Sequence, residues 1–205
     1  MIYVFSYQRE EMLNHVLKDI QGEDHLIIDD GSDFEYPNMI KFTHGGKRMF
    51  WERWDYALRH AKRCEDELFI FMPNDFLNID LETIRKCHEE LKDNPYVFNI
   101  INDGRTEQWI RFKAIDEGDK IRVGFTDCGF FCNRKTLDLI GYHMERVSDK
   151  WFKRANSSGV GHQLTKRLHK HGVPIYKPLK SLAYHGDHPS TMHENERLKN
   201  PLISI

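Results

Sequence analysis

Hydrophobic and polar positions follow two different periods along residues 1–101. Short and mostly continuous apolar runs predict strands at residues 2–7, 25–28, 39–42, 67–72 and 96–101. Between these runs, apolar residues recur three or four positions apart, which predicts amphipathic helices over residues 8–22, 49–63 and 81–95. This alternation predicts repeated βα units and a mainly parallel sheet.

Each predicted helix has an apolar face that is expected to pack against the sheet. The residues expected to point inward are Met12, Leu13, Val16, Leu17, Ile20, Phe50, Trp54, Ala57, Leu58, Ala61, Leu81, Ile84, Cys87 and Leu91. Asp80 is a suitable N-cap for the third helix, and Pro95 ends it. The apolar run at 67–72 does not alternate, so it predicts a central strand that is covered on both faces.

The second half of the chain has weaker periodicity. Residues 102–126 predict short antiparallel strands and turns, and residues 129–141 predict a strand, a basic turn and a helix that ends at Gly141. A further helix is predicted over 161–172, and residues 173–179 predict a last strand. The whole pattern predicts an α/β sandwich with a mixed, mainly parallel sheet, formed by a single domain over residues 1–205.

Composition narrows the class of protein. Hydrophobic residues make up 40% and charged residues 30%, with a net charge of -2 and a pI near 6.6, so the composition indicates neither a disordered tail nor a uniformly basic surface, and it leaves a local basic groove open. The four cysteines have no CxxC spacing, which favours reduced thiols. No window approaches the ~20 apolar residues of a membrane span, so the expected location is the cytoplasm.

Polar or glycine-rich residues follow several predicted strands, at the sheet edge where α/β proteins usually bind ligands. These residues are Ser6, Tyr7, Asp29, Asp30, Gly45, Gly46, Lys47, Arg48, Asn74 and Asp75. The carboxylates of Asp29 and Asp30 are suited to accept hydrogen bonds from a nucleotide, although DDGS is also an ordinary turn sequence. Asp75 is suited to hold Mg²⁺ or Mn²⁺ on a phosphate group, although Pro-Asn-Asp is also favoured in turns.

Other polar motifs have competing interpretations. The segment YHGDHPSTMH at 184–193 has side chains for a metal or a phosphate, but it lacks the HExxH pattern of a hydrolytic zinc site and is also compatible with a solvated loop. Lys47 and Arg48 are suited to neutralise a diphosphate, or they are simply surface cations. The cysteines of CGFFC are interpreted as core residues rather than a redox pair.

Taken in order, these motifs resemble a glycosyltransferase of the GT-A fold, of the large family-two type. The resemblance covers most of the chain through the segments YVFSYQRE, HLIIDDGSD, RWDYALRHA, DELFIFMPNDF, GFFCNRKTLDLIG and LTKRLHKHGVPIYKPLKSLAYHG. It implies a GT-A-like (Rossmann-like) α/β/α sandwich. Residues 1–100 would bind a nucleotide sugar, and residues 101–205 would bind the acceptor.

The resemblance also implies roles for individual residues. The residues placed around the nucleotide sugar are Ser6, Tyr7, Arg9, Asp29 and Asp30, with Lys47 or Arg48 supplying positive charge. Asp75 and His185 match the positions that hold a divalent cation, Mn²⁺ or Mg²⁺, on the diphosphate.

The chain departs from the family pattern at three places. Pro73 stands where the first metal-binding aspartate is expected, and Trp54 and Asp55 replace an arginine and an asparagine. Val160 and Gly161 replace the acidic pair in which inverting members keep a general base. Asp127, Asp149 and His162 are the remaining candidates for this base. Asp127 is favoured and Asp149 comes next, although each is also suited to a turn or a helix cap.

The HGDHPST segment and the short length resemble small glycosyltransferases of bacteriophages, some of which glycosylate hydroxymethylated DNA bases. The acceptor is therefore expected to be a saccharide or a modified DNA base, and a phage enzyme would act in the host cytoplasm. A DNA acceptor requires a local basic face. The candidate residues for this face are Arg105, Arg111, Lys113, Lys120, Arg122, Lys150, Lys153 and Arg154.

Two other functions remain open at the level of sequence. A nucleotidyltransferase on a similar scaffold would release pyrophosphate rather than a nucleoside diphosphate. A non-catalytic module would bind saccharide or DNA without turning over a donor, and the missing acidic residues favour this alternative.

Overall fold

The computed structural model describes residues 1–104, 112–127, 129–155 and 157–186, without the side chains of residues 154 and 155. Its helices are α1 (Glu10–Asp19), α2 (Gly46–Ala61), α3 (Leu81–Leu91), α4 (Arg134–Ile140), α5 (Asp149–Ala155) and α6 (Val160–Lys170). Its strands are β1 (Ile2–Ser6), β2 (His25–Asp29), β3 (Met39–Lys41), β4 (Leu68–Pro73), β5 (Phe76–Leu77), β6 (Val97–Asn99), β7 (Ile115–Asp116), β8 (Lys120–Val123), β9 (Phe130–Asn133), β10 (Ile175–Pro178) and β11 (Tyr184–His185).

Nine of the described strands form one mixed sheet in the order β3-β2-β1-β4-β9-β6-β10-β8-β7. Strands β3, β2, β1 and β4 pair in parallel, as the βα pattern predicts. Strand β9 runs antiparallel between β4 and β6, and the β8–β7 pair adds an antiparallel edge beyond β10. A second small sheet joins β11 to β5. The fold is therefore an α/β sandwich with a mixed, mainly parallel sheet, as predicted.

Apolar side chains cover both faces of the central strands. All but the end residues of β4 are buried, which confirms its prediction as a central strand. Tyr3 and Phe71 point into the core beneath α2, whereas Val4 and Met72 point into the core beneath α1 and α3. The two cores follow from the alternation of side chains along a strand.

Helix α2 packs against the sheet through the residues that its periodicity predicts, from Phe50 to Ala61. Its Trp54 is fully buried, and its ring stacks at 4.5 Å from Phe5, 5.1 Å from Phe71 and 5.6 Å from Phe130. The helix begins at Gly46, three residues before the predicted start, so Lys47 lies inside its first turn. The same stripe also buries Arg53, which the apolar pattern alone did not predict.

Helix α3 differs from its predicted face. Ile84 is buried, but Leu81, Cys87 and Leu91 are only partly buried, and His88 is buried in their stead. The imidazole Nδ1 of His88 lies 2.9 Å from the hydroxyl of Tyr96, and burial lowers the pKa of His88 because a desolvated imidazolium is unfavourable. Burial of His88 is thus accompanied by a hydrogen bond to Tyr96, which directly precedes β6, and the prediction that only apolar residues of α3 are buried is wrong at this position.

Several local predictions are confirmed. The Asp80 side chain accepts a hydrogen bond from the Thr83 amide at the start of α3, and Gly141 caps α4 with a φ of 83°. Cys132 is fully buried, as expected for a core residue. The described cysteines Cys64, Cys87 and Cys132 are free thiols, whereas Cys128 lies outside the described residues. No helix in the described part of the chain combines the length and hydrophobicity needed to cross a membrane.

Replacing Trp54 by Ala is expected to destabilise the protein by about 3–5 kcal/mol, because it removes the ring on which three aromatic side chains pack and leaves a cavity. Urea unfolding followed by circular dichroism measures this change. The exposed Leu139 of α4 provides the control, and Leu139→Ala should change stability by about 0.5 kcal/mol or less. Equal losses for the two variants would contradict the proposed position of Trp54 in the core.

Candidate active site

The carboxyl ends of β1, β2 and β4 meet at one edge of the sheet. Ser6 of β1 lies opposite Asp29 of β2, and Phe5 lies opposite Pro73 of β4. The backbone continues this pairing past the strands, since the Asp30 amide donates to the Ser6 carbonyl at 2.8 Å. The polar residues predicted at three separate strand ends are therefore brought together.

Strand β9 brings the start of the second half of the chain to the same edge. It runs antiparallel to β4 with Phe130 opposite Phe71, so the residues before Phe130 lie beyond the carboxyl end of β4. Gly129 packs against the ring of Phe76, where a Cβ atom would come within 2.4 Å of the ring. The register of β9 with β4 therefore places the backbone of Asp127, three residues before Phe130, near the carboxyl end of β4.

The loop that carries Asp127 is anchored by a buried polar network. The Thr126 hydroxyl donates to Asn99 at 2.7 Å, and the Thr126 amide donates to the Thr165 hydroxyl of α6 at 3.1 Å. At Gly161, a Cβ atom would lie 2.7 Å from the Thr126 carbonyl oxygen and 3.5 Å from the Cα of Asp127. Asp127 therefore lies against the start of α6, where the family resemblance expected an acidic pair.

Asp29 uses its carboxylate inside the protein. One of its oxygens accepts from the amides of Gly31 at 2.8 Å and Ser32 at 2.6 Å, and the other accepts from the Ser32 hydroxyl at 2.5 Å. Asp29 is fully buried. These contacts match the turn that the DDGS sequence also favours, and a nucleoside-binding role for Asp29 stays a prediction.

Asp30 joins the acidic turn to the beginning of α2. Its carboxylate accepts hydrogen bonds from the amides of Gly45 at 3.0 Å and Gly46 at 2.8 Å, at the helix end where the macrodipole favours negative charge. The guanidinium of Arg53 lies 2.5 Å from the same carboxylate, with side chains only 2% and 3% exposed. Asp30 thus holds the helix that carries Lys47 and Arg48, and direct contact with a nucleotide stays a prediction.

A stacked pair of rings lies beside this turn. Tyr7 stacks on His44 with 4.2 Å between ring centroids and 12° between ring planes, and His44 Nδ1 lies 3.0 Å from the Asp30 carboxylate. The His44 side chain is 49% exposed. His44 and Arg53 are the residues of this edge that sequence reasoning missed. The burial of Arg53 could have been predicted from its position on the apolar face of α2.

The loop after β1 has an unusual backbone. Gln8 and Arg9 both have positive φ angles, 50° and 57°, which side-chain-bearing residues adopt rarely. The loop is fixed from two sides, because the Gln8 amide donates to the Ser32 hydroxyl at 2.6 Å and the Asn74 side-chain amide donates to the Gln8 carbonyl at 3.1 Å. Asn74 therefore supports this loop, beside Asp75.

Arg9, Asp75 and His185 form a cluster at the end of β4. The guanidinium of Arg9 donates to Asp75 Oδ2 at 3.0 Å, and His185 Nδ1 lies 3.4 Å from the same oxygen. His185 reaches this position because β11 pairs with β5 so that His185 lies opposite Phe76. The two residues that the resemblance assigned to a metal are thus neighbours, together with an arginine assigned to the nucleotide.

The cluster at the end of β4 offers few ligands for a divalent cation. Asp75 and His185 offer an oxygen and a nitrogen, but the Arg9 guanidinium already binds the Asp75 oxygen that His185 faces. Within residues 1–104, 112–127, 129–155 and 157–186, no three His, Cys, Asp or Glu side chains group closely enough to hold a metal. A cation on Asp75 would have to displace Arg9 or lie beside a like charge, so this donor set does not fit Mn²⁺ or Mg²⁺ as it stands.

One of the cations at the start of α2 contacts the second half of the chain. Arg48 forms an ion pair with Asp149 of α5 at 2.5 Å, with both side chains about half exposed. Asp149, the second candidate base, therefore already has a cationic partner. Lys47 lies next to Arg48 in the first turn of the helix.

Some predicted residues fall outside the described part of the chain. These are Arg105, Arg111 and the segment 187–205, which includes the histidines at 188 and 193; the side chain of Arg154 is also not described. The other predicted DNA-facing cations lie on two elements. Lys113, Lys120 and Arg122 lie on or before the β7–β8 edge, and Lys150 and Lys153 lie on α5.

No protein-family model matches the chain, and no curated protein matches it in sequence. Solved structures do match in fold. TarS of S. aureus superposes with a TM-score of 0.56 at 12% identity, covering 90% of this chain and 36% of TarS. A shorter TarS structure, residues 1–349, gives 0.52 at 11% identity, covering 91% of this chain and 60% of that one.

A crystal structure described as a mycobacterial protein gives a TM-score of 0.57 at 11% identity, with 92% of this chain and 67% of the other covered. The chain thus spans between about a third and two thirds of the length of these structures. At such low identities the similarity shows the fold, which is the GT-A-like α/β architecture.

Replacing Arg53 by Met is expected to destabilise the protein by about 3–5 kcal/mol, because it leaves the buried Asp30 carboxylate without its cation. Urea unfolding measures the loss, and adding Asp30→Asn should recover part of it. The control is Arg59→Met on the same helix, whose exposed ion pair with Asp55 should contribute about 1 kcal/mol or less. A small effect at Arg53 would show that Asp30 does not depend on this partner.

Proposed function

We propose that the protein is a glycosyltransferase that moves a sugar from a nucleotide-sugar donor to the hydroxyl group of an acceptor. The observation that carries this proposal is the convergence of Tyr7, Arg9, Asp30 and Asp75 at the carboxyl edge of a GT-A-like sheet. The fold similarity to TarS, a glycosyltransferase, supports the same general activity.

In this proposal the donor lies along the edge formed by β1, β2 and α2. The half-exposed His44 ring and its partner Tyr7 offer an aromatic surface beside the acidic turn for the nucleoside. Lys47 and Arg48 lie in the first turn of α2 and supply positive charge for an anion, whereas the amides of Gly45 and Gly46 already donate to Asp30. The diphosphate of the donor would therefore lie between α2 and the end of β4.

Asp127 is the proposed general base. It approaches the edge from the second half of the chain, beside the end of β4, and it lies against the start of α6. During transfer, the acceptor oxygen forms a bond to the anomeric carbon while the bond from that carbon to the diphosphate oxygen breaks. The hydroxyl proton passes to the Asp127 carboxylate, and the nucleoside diphosphate leaves. Asp149 is the weaker candidate because Arg48 already pairs with it.

The acceptor is proposed to be a saccharide or a hydroxymethylated DNA base, and the proposed location is the cytoplasm. Both acceptor classes offer a hydroxyl group to the same base. The described cations on the β7–β8 edge and on α5 would contribute to binding a DNA backbone.

Mass spectrometry of the products tests the proposed reaction. The protein is incubated with a panel of nucleotide sugars together with oligosaccharides or hydroxymethylated DNA, and an acceptor that gains the mass of one sugar residue with release of nucleoside diphosphate is expected. Release of pyrophosphate would instead indicate nucleotidyl transfer. Neither donor hydrolysis nor transfer with any pair would contradict the proposal and favour a non-catalytic binding module.

Replacing Asp127 by Asn is expected to lower the transfer rate by about 10²- to 10⁴-fold while leaving donor affinity nearly unchanged, because only proton removal is lost. Initial rates and donor affinity are measured for Asp127→Asn and, separately, for Asp149→Asn. Asp93→Asn, in the loop before β6 at the opposite edge of the sheet, is the matched control. If Asp149→Asn is the inactive variant, the assignment of the base moves to Asp149.

A further inference from the structure

The ion pair between Arg9 and Asp75 differs from the surface ion pairs of this protein. The two side chains are 13% and 8% exposed, and the guanidinium lies 3.0 Å from the carboxylate. Such a pair is held at the end of β4 in low dielectric, and an arginine keeps its charge there because its guanidinium does not deprotonate in proteins. A permanent positive charge therefore lies where the resemblance expects a divalent cation.

The loop after β1 is built to hold Arg9 in this place. Two successive positive φ angles, at Gln8 and Arg9, are unfavourable for residues with side chains and persist only when neighbouring contacts require them. Those contacts come from Ser32 of the acidic turn and from Asn74 next to Asp75. Contacts from the acidic turn and from the end of β4 thus fix the backbone that positions the Arg9 guanidinium.

The end of β4 carries one carboxylate, Asp75, and the single positive charge of Arg9 is enough to neutralise it. Pro73 occupies the strand end, so Asp75 contributes the only carboxylate of the segment Pro73-Asn74-Asp75, and Arg9 neutralises it. A divalent cation is usually held by one or two protein carboxylates in addition to phosphate oxygens. With its charge already matched by Arg9, Asp75 is suited to orient a guanidinium rather than to attract a metal ion.

We propose that Arg9, positioned by Asp75 and by the loop after β1, takes the place of a divalent cation in binding the diphosphate of the donor and in stabilising its charge during transfer. This inference rests on the proposed function. A guanidinium offers a planar set of N–H donors that matches phosphate oxygens, and its charge is most effective where the leaving diphosphate becomes more negative. Donor binding and transfer then proceed without Mn²⁺ or Mg²⁺.

Isothermal titration calorimetry tests the proposal through binding rather than activity. The probes are UDP, GDP, CDP, ADP and dTDP, each titrated into the protein in EDTA and again in MnCl₂. At least one diphosphate is expected to bind in EDTA, with a Kd within about threefold of its value in Mn²⁺. Binding that requires Mn²⁺ would overturn this inference and leave the glycosyltransferase proposal standing. No binding under either condition would overturn both.

Variants of Arg9 test whether its charge is responsible. Arg9→Gln should weaken diphosphate binding in EDTA by about 10- to 100-fold, because it removes a charged hydrogen-bonding partner of a phosphate. Arg9→Lys, which keeps a point charge in the same loop, should lose less affinity and covers the case in which Arg9→Gln does not fold. Unchanged affinity in both variants would overturn the proposal.

A matched control separates a local effect from a general loss of cations. Arg85 of α3 also forms an ion pair with a carboxylate, Glu23, but near the amino-terminal end of β2. Arg85→Gln is expected to bind the diphosphate as the original protein does. Asp75→Asn should weaken binding in EDTA as Arg9→Gln does, because the guanidinium loses its partner. If Asp75→Asn instead abolishes only a Mn²⁺-dependent component, Asp75 is a metal ligand and the inference fails.

Discussion

The parallel pairing of β1 between β2 and β4 is the constraint on which the candidate site depends. Parallel neighbours end at the same edge of a sheet, so Ser6, Asp29 and Asp75 approach each other although they are far apart in sequence. The antiparallel insertion of β9 beside β4 then adds Asp127 to the same edge. One hydrogen-bonding pattern therefore assembles polar groups from both halves of the chain.

Burial at this edge determines what the acidic residues do. A carboxylate removed from water must be paired or fully hydrogen-bonded, because an uncompensated buried charge is strongly unfavourable. Asp29 meets this requirement with the Gly31–Ser32 turn, and Asp30 meets it with Arg53 and the start of α2. The acidic turn thereby becomes a scaffold that fixes the loops around it, including His44 and the first turn of α2.

The period of the apolar residues was sufficient to predict strands β1–β4, β6, β9 and β10, the parallel front half and the inward face of α2, but it missed the two-residue strands β5 and β11. It failed where a polar side chain is buried with a specific partner, as for Arg53 with Asp30 and His88 with Tyr96, because a hydrophobic pattern carries no information about such pairing. The positions of Asp29, Asp30 and Asp75 after predicted strands were sufficient to predict that they lie at the same edge of the sheet. Which of them face a cleft and which support a turn depends on contacts between distant segments, such as that between Gln8 and Ser32.

Two carboxylates at this edge are each paired with an arginine from another element, yet their surroundings differ. The Asp30–Arg53 pair is almost completely enclosed, so its charges act only on the protein that surrounds them. Arg9 keeps a greater exposed fraction, and its partner Asp75 also contacts His185. Electrostatic interactions with a ligand are strong only where a fixed charge is both shielded from bulk water and accessible from the cleft. Of these two pairs, the one at the end of β4 is the less enclosed, with 13% of the Arg9 side chain exposed, so its charge is better placed to act on a ligand, which agrees with the proposal that Arg9 acts where Pro73 replaces a carboxylate.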